Sequence, residues 1–255
     1  MNLQQLLSPC RRAIDDYKMI SEGDKIAVGL SGGKDSIALL YALSGLRRFY
    51  PLKFEIVAIT IDLGLDYNPK EIEALKNMCA NLNVEYHIVK TDIYQILFEE
   101  RKEKSPCSLC SKMRRGALNT KAIELGCNSL ALGHHADDLV ETLFLSLFYE
   151  GRLSTFEPIT YLSRSDIKVI RPMIYVEEKN ISAFSKDKPI LFNPCPQDKH
   201  TKRQYVKELL NEIKKDIPIA KSRILSAILH PERNHLFDDA IEKFNREMSE
   251  KNKKS

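Results

Sequence analysis

The sequence lacks an apolar run of the length that a membrane-spanning helix requires. The apolar stretch Leu143–Phe148 is far too short for that and predicts a buried helix segment. The N-terminus has no apolar signal-peptide core, and the formal net charge of 255 residues is only +4. These absences exclude an integral membrane protein and predict a cytoplasmic protein without a membrane partner. Internal repeats and low-complexity tracts are also absent, apart from the last few residues.

Cysteine is scarce and unevenly placed. Six cysteines in a cytoplasmic protein argue against a disulfide framework. Cys10, Cys79 and Cys127 stand singly among helical or strand-like residues, which predicts small buried thiols. Cys107 and Cys110 instead form a Cys-x-x-Cys pair at a predicted helix start, where the helix dipole favours thiolate.

Strand-like and helical patterns alternate from residue 25 to about residue 171. The predicted strands are Lys25–Leu30, Phe54–Ile61, Val84–Val89, Ser129–Leu132 and Ile167–Ile170. The clearest predicted helices are Ile37–Leu43, Pro69–Leu82, Leu109–Leu125, Tyr205–Ile217 and Ser222–Leu229. This order predicts an α/β fold, a doubly wound parallel sheet of Rossmann-like type with a helical C-terminal region. We expect residues 1–175 to form the α/β domain and residues 176–255 the helical region.

A glycine pair follows the first predicted strand and opens a helix, in a six-residue loop. The loop consists of Ser31, Gly32, Gly33, Lys34, Asp35 and Ser36. Backbone N–H groups of such a loop converge on an anion, with the helix dipole behind them. The spacing differs from the Walker A motif and from the Gly-x-Gly-x-x-Gly dinucleotide motif. An ordinary strand–helix turn is the alternative, but the loop predicts a phosphate site.

Two further sites lie at predicted strand ends. The fourth strand leads into a segment that contains Gly133, His134, Asp137 and Asp138. The two aspartates predict a Mg²⁺ and nucleotide site. The alternative is a helix N-terminus, where the helix dipole favours aspartate. Asp62 follows the second strand and predicts a ribose or adenine contact, or else a turn.

Cys195, which lies between two prolines, supplies a third thiol to the pair Cys107 and Cys110. The pair alone is compatible with redox chemistry or a zinc half-site. Three thiolates without a fourth protein ligand are typical of a reactive metal or cluster site, whereas His200 would complete a structural zinc site.

Four motifs together resemble the tRNA 2-thiocytidine synthetase family of the N-type, or PP-loop, ATP pyrophosphatases. They are Cys107–Gly116, Gly133–Asp138, Ile170–Pro172 with Tyr175 and Glu178-Lys179, and Asn193–Cys195, besides the Ser-Gly-Gly-x-Asp-Ser loop. The similarity extends from about Arg11 to Asp238, nearly the whole chain.

The resemblance implies ATP-dependent thiolation of tRNA. The glycine loop, with Asp62, Gly133, His134 and Asp138, would bind ATP and Mg²⁺ so that a base carbonyl is adenylated, with cytidine at C2 as the expected target. Cys107, Cys110 and Cys195 would ligate a 4Fe–4S cluster, and Asp35, Arg114 and Asp137 would be catalytic. Arg114 and Arg115 would lie near cluster and phosphates, contact RNA, or cap the sheet edge. The implied partners are tRNA, a sulfur donor (sulfide or a cysteine desulfurase) and a second copy in a homodimer.

Two positions depart from the family pattern. Asp198 stands where the family has a fourth cysteine, and the run Asp62–Tyr67 is closer to the related 2-thiouridine synthetases. These departures leave other hypotheses open: thiolation of another base, thiolation or desulfuration of a small molecule, lysidine-synthetase-like amination, and ATP and cluster sensing without turnover.

Overall fold

The sheet has the predicted parallel order with one addition at its edge. The computed structural model describes residues 1–65, 67–103, 106–192, 194–195, 202–233 and 240–252. Its strands are β1 (Asp24–Gly29), β2 (Phe54–Asp62), β3 (Glu85–Lys90), β4 (Ser129–Ala131), β5 (Ile159–Leu162) and β6 (Ile167–Ile170). The strand order is β3-β2-β1-β4-β6-β5, and every neighbouring pair is parallel except the antiparallel pair β5 and β6. The predicted doubly wound sheet is confirmed, whereas the short strand β5 was not predicted.

The helices also follow the predicted order. They are α1 (Leu3–Tyr17), α2 (Lys34–Leu46), α3 (Pro69–Asn81), α4 (Pro106–Glu124), α5 (Ala136–Glu150), α6 (Glu178–Phe184), α7 (Lys202–Asp216), α8 (Ala220–Leu229) and α9 (Ala240–Asn252). A short π-helical stretch covers residues 95–100. The start of α4 at Pro106 places the Cys-x-x-Cys pair in its first turn.

Helices cover both faces of the sheet. On one face, Leu118 and Ala122 of α4 pack with Val57 and Ile59 of β2 and Leu130 of β4. On the other face, the largely buried helix α2 contacts β1 and β2. Side chains of successive strand residues point to opposite faces, so the apolar runs of the central strands fill both layers.

The stretch Leu143–Phe148 is only partly buried, and the prediction of a buried segment is wrong for its end. Leu147 is 43% and Phe148 48% exposed. At about 1.5 Å per residue, α5 is far longer than the three-residue strand β4 that it follows, so its last turn runs past the sheet.

The chain divides into two compact units between residues 209 and 210. The second consists of the end of α7, α8, a 3-10 turn at 231–233, and α9. The boundary between an α/β domain and a helical region at residues 175 and 176 remains a prediction. None of the helices in the described residues is both long and apolar enough to cross a membrane.

Candidate active site

The strand order reverses at β1, whose neighbours are β2 on one side and β4 on the other. The loops after β1 and β4 therefore meet at the topological switch point of the sheet, where open α/β sheets bind ligands. A Cβ atom on Gly133 would lie 3.1 Å from the carbonyl carbon and oxygen of Asp35 and 3.2 Å from the backbone nitrogen of Ser36. The lack of a side chain at Gly133 thus lets the two predicted motifs come into contact.

The glycine loop has an internal hydrogen-bond network. The backbone N–H of Ser31 donates to Oγ of Ser36 at 3.1 Å, and that hydroxyl donates to the carbonyl of Gly33 at 2.9 Å. Gly32 has φ +79°, a conformation that favours glycine. Helix α2 begins after Gly33, and within the described residues no side chain caps it. The first N–H groups of α2 can therefore receive an anion.

The Lys34 side chain contacts two carboxylates, one in the loop and one on α6. Its Nζ lies 2.8 Å from Oδ1 of Asp35 and 3.2 Å from Oε1 of Glu178, which also contacts Nζ of Lys207 at 2.6 Å. Burial alone would lower the pKa of Lys34, but both carboxylates outweigh it and raise the pKa. Asp137 joins this network because its Oδ2 accepts the backbone N–H of Glu178 at 2.7 Å.

A cavity of about 300 Å³ opens beside the loop, at the lower end of the size range of small-molecule sites. Among the predicted residues it is lined by Ser31, Asp35, Ser36, Gly133, His134 and Asp138, with Arg114 and Arg115 on the α4 side. Its apolar walls come from Leu30, Ile59, Ile61, Leu118 and Leu132. An apolar slot next to an anion-binding loop suits a nucleotide with a flat base and phosphates. The predicted residues that are not in this lining are Gly32, Gly33, Lys34, Asp62 and Asp137.

Two histidines lie in the second motif, and His135 links the carboxylates of the two motifs. Nε2 of His135 lies 3.6 Å from Oδ1 of Asp35 and 3.5 Å from Oδ2 of Asp138. Burial lowers the pKa of His134 to about 4, so its imidazole is neutral at pH 7. In the described part of the chain, Nδ1 of each histidine is buried without a hydrogen-bond partner. The neutral His134 imidazole offers a ligand a polar atom and adds no positive charge to the site.

Arg203 on α7 is a site residue that the sequence analysis missed. Its Nη1 lies 3.3 Å from Oδ1 of Asp138 and 3.1 Å from Oε2 of Glu141, which is only 3% exposed. Burial raises the pKa of Glu141, and Arg203 opposes this shift. Glu141 is recognisable in the sequence as a charged residue inside the apolar run of α5, but no local pattern points to Arg203.

Arg171 is a second cation near the histidines. The Arg171 guanidinium stacks at 5.2 Å over the ring of Phe156, which also packs against His134. Burial, followed by the positive charge of Arg115, lowers the pKa of Arg171 to about 10. Arg171 and Arg115 are close enough for their positive charges to repel, and a bound phosphate would relieve that repulsion.

The three predicted cysteines come together. Cys107 is exposed in the first turn of α4, while Cys110 and Cys195 are half-buried. The charges of Cys195 and Cys107 both act on Cys110, and Arg114 acts on it with the opposite sign. Burial is the largest cause and raises the pKa of Cys110, so the prediction that the helix start lowers it is wrong there. The helix dipole at the first turn of α4 does not outweigh the loss of solvent around the Cys110 thiol.

The other thiols lie apart from this set and are buried, as predicted. Burial raises the pKa of Cys10 and of Cys79 to about 12, and it raises that of Cys127 as well. They are therefore protonated at neutral pH and unsuited to bind a metal.

The donor set fits a 4Fe–4S cluster. Three thiols that influence one another electrostatically, with an arginine beside them, match three cluster ligands. Among the described residues no three His, Cys, Asp or Glu side chains are grouped as ligands of a single metal ion. A four-iron cluster spaces its thiolates farther apart than one ion does. His200, Asp198 and Asn193 lie outside the described residues.

Asp62 occupies the end of β2, and its side chain forms a turn. Its Oδ1 accepts the backbone N–H of Gly64 at 3.0 Å, and Gly64 has φ +80°. The predicted nucleotide contact of Asp62 remains a prediction.

Comparisons with known proteins show the family to which the chain belongs. A family model described as PP-loop domain matches residues 2–213. The chain is 40% identical over 235 residues to a tRNA-cytidine(32) 2-sulfurtransferase of Citrifermentans bemidjiense, which covers 90% of this chain and 91% of that protein. It is 42% identical over 234 residues to the protein of the same name from Alcanivorax borkumensis, covering 90% of this chain and 82% of that one.

A solved structure supports the same assignment. It is a U34-tRNA thiolase of Methanococcus maripaludis with its 4Fe–4S cluster, and it superposes with a TM-score of 0.71 at 25% identity. The match covers 92% of this chain and 80% of that one. The chain belongs to the PP-loop family and, within it, to the family of the tRNA-cytidine(32) 2-sulfurtransferases.

Proposed function

We propose that this protein is an ATP-dependent tRNA thiolase that replaces O2 of a cytidine with sulfur, and that the cytidine is at position 32, as in the names of its relatives. One observation carries the proposal. Arg114 lines the nucleotide cavity and also acts electrostatically on Cys110, so ATP activation and the three-cysteine set share one site. This continuity is what a reaction with activation followed by sulfur transfer requires.

The first step is adenylation. The O2 oxygen of cytosine attacks the α-phosphorus of ATP, a P–O bond to pyrophosphate breaks, and pyrophosphate leaves. Charge develops on the leaving phosphates, and the N–H groups at the start of α2 and the Arg114 guanidinium stabilise it. Mg²⁺, when bound near Asp35 and Asp138, neutralises the remaining phosphate charge.

The second step is sulfur transfer. Hydrosulfide attacks C2, the bond from C2 to the adenylated oxygen breaks, and AMP leaves with that oxygen. The proton of hydrosulfide goes to solvent as the thiocarbonyl forms, and no electron transfer is needed. When bound to Cys107, Cys110 and Cys195, the cluster supplies an open iron site for sulfide.

The protein groups hold the reactants in order. Asp35 and Arg114 line the cavity. Asp137 accepts the backbone N–H of Glu178, and the side-chain carboxylate of Glu178 anchors Lys34. In this proposal residues 1–175 activate ATP, and residues 176–255 contribute the third cysteine. The protein acts in the cytoplasm as a homodimer with sulfide, or a desulfurase that delivers it, as the sulfur source.

The test is reconstitution with anaerobically purified protein. We expect a brown protein with about four irons per chain that converts ATP to AMP and pyrophosphate and forms 2-thiocytidine in tRNA when sulfide is present. Nucleoside mass spectrometry before and after the reaction detects the product. A colourless protein with stoichiometric zinc, or tRNA without any thiolated nucleoside, would disprove the proposal.

A further inference from the structure

A second, smaller cavity of about 160 Å³ lies beside the nucleotide cavity. It shares Ser31, Ile61 and Arg114 with that cavity, and its own walls include Thr60, Tyr67 and Phe192. The shared residues make it a side chamber of the site. Its size suits one planar base and is too small for a whole nucleotide.

The aromatic walls are held by backbone contacts. The N–H of Leu191 donates to the carbonyl of Gly32 at 2.9 Å, and the N–H of Phe192 donates to Oε2 of Glu71 at 2.9 Å. The backbone around Phe192 is thus tied both to the phosphate loop and to α3. Its side chain is nevertheless 73% exposed. A large apolar ring on an anchored backbone, open to solvent at the mouth of a cavity, is suited to stack on a ligand.

The opposite wall borders the cysteines. Tyr67 is half-buried, and the charges of Arg114, Cys110 and Cys195 all act on its hydroxyl. The chamber therefore lies between the phosphate loop, at Ser31 and Gly33, and the three-cysteine set. A group bound here would be close to both reactants of the proposed chemistry.

We propose that this chamber receives the target pyrimidine base after it leaves the stack of the tRNA anticodon loop, with Tyr67 and Phe192 contacting the ring and Arg114 donating to its O2. The inference rests on the proposed function and names two positioning residues for its substrate. Single-stranded bases in RNA are recognised by stacking on aromatic side chains and by hydrogen bonds to their edges.

The adenine of ATP has a separate place. The nucleotide cavity has its own apolar walls at Leu30, Ile59, Leu118 and Leu132, none of which lines the chamber. Binding of adenine in the chamber is the competing outcome of the experiment.

The experiment is a thermodynamic cycle between protein and RNA. An anticodon stem–loop with cytidine at position 32 is compared with the same hairpin that is abasic there, for wild type, Tyr67→Ala and Phe192→Ala. For wild type, loss of the base should weaken binding about 5- to 150-fold. Each alanine variant should weaken binding of the intact hairpin by a similar factor, and loss of the base should then cost little more.

The controls separate this role from folding and from ATP binding. Phe49→Ala removes a 50% exposed ring remote from the site and should leave the cycle as in wild type. Tyr67→Phe keeps the ring and should retain most of the affinity. Iron content and the KM for ATP should be unchanged in the alanine variants.

The possible failures are distinguishable. Wild-type protein could thiolate the hairpin while the abasic site weakens binding by the same factor in each alanine variant as in wild type. In that case the chamber does not bind the base. A raised KM for ATP with unchanged RNA binding would assign the chamber to adenine and overturn the inference. A wild-type protein that thiolates no RNA would instead disprove the proposed function.

Discussion

Substitution of Gly32 by alanine tests the geometry of the phosphate loop. The residue has φ +79°, and a Cβ atom there would lie 2.4 Å from Cβ of Leu191. That neighbour cannot rotate away because Cβ is fixed by the backbone, and the Leu191 N–H is bonded to the carbonyl of Gly32. Alanine therefore forces the loop and the Leu191 backbone apart.

The magnitude follows from two costs. A left-handed conformation costs an alanine about 1–2 kcal/mol, and overpacking a contact of this kind costs about 1–3 kcal/mol. Gly32→Ala should thus lower the free energy of unfolding by about 2–5 kcal/mol. Gly33→Ala is the matched control, since Gly33 has φ −77° and its Cβ would meet only Oγ of Ser31, at 3.5 Å. We expect it to cost below about 1 kcal/mol.

The assay is urea unfolding of both variants, with Leu191→Gly and the double variant Gly32→Ala/Leu191→Gly. Leu191→Gly should lower the free energy of unfolding by about 1–3 kcal/mol less in the Gly32→Ala background than in wild type. The reasoning is refuted if Gly32→Ala and Gly33→Ala agree within about 0.5 kcal/mol, or if the two substitutions at 32 and 191 are additive.

Three other perturbations have expected outcomes. Arg203→Ala leaves the buried Glu141 carboxylate without its cation and should lower the free energy of unfolding, measured by urea titration, by about 2–4 kcal/mol. Its control is Arg152→Ala, which removes an exposed ion pair and should cost below about 1 kcal/mol. Burial raises the pKa of Cys10 from 9.0 to about 12, so the folded state loses stability as the pH rises above 9. The contribution of Cys10 should be about 1 kcal/mol between pH 8 and 10, and the loss measured by urea unfolding should be smaller by that amount in Cys10→Ala. Cys195→Ala should lose most of its iron by elemental analysis, and Cys10→Ala should retain it; equal iron in both would contradict the cluster ligands.

The sheet and the two loops at its switch point were predictable because their signals are local. The apolar run of β1 is followed at once by the glycine loop, and the helical periodicity from Leu109 to Leu125 matches the face of α4 that packs on the sheet. Parallel strands place their carboxyl ends at one edge, so the meeting of Gly133 with the first loop followed from strand order.

The remaining parts of the site depend on contacts between residues distant in sequence. Arg203 reaches Asp138 and Glu141 from a different helix, and no spacing in the sequence links them. The rise in the pKa of Cys110 likewise depends on tertiary burial, which outweighs the local helix dipole. Local patterns predict which residues carry the chemistry, but the counter-charges that hold them are set by packing.

The link between Gly32 and Leu191 explains why a phosphate loop and a cysteine set can act in sequence. The hydrogen bond from Leu191 to Gly32 and that from Phe192 to Glu71 anchor the segment that leads to Cys195. The loop that we propose to bind phosphate is therefore bonded through its backbone to the segment that carries Phe192. Residue 32 thus has to be glycine for two reasons, its left-handed conformation and its contact with Leu191.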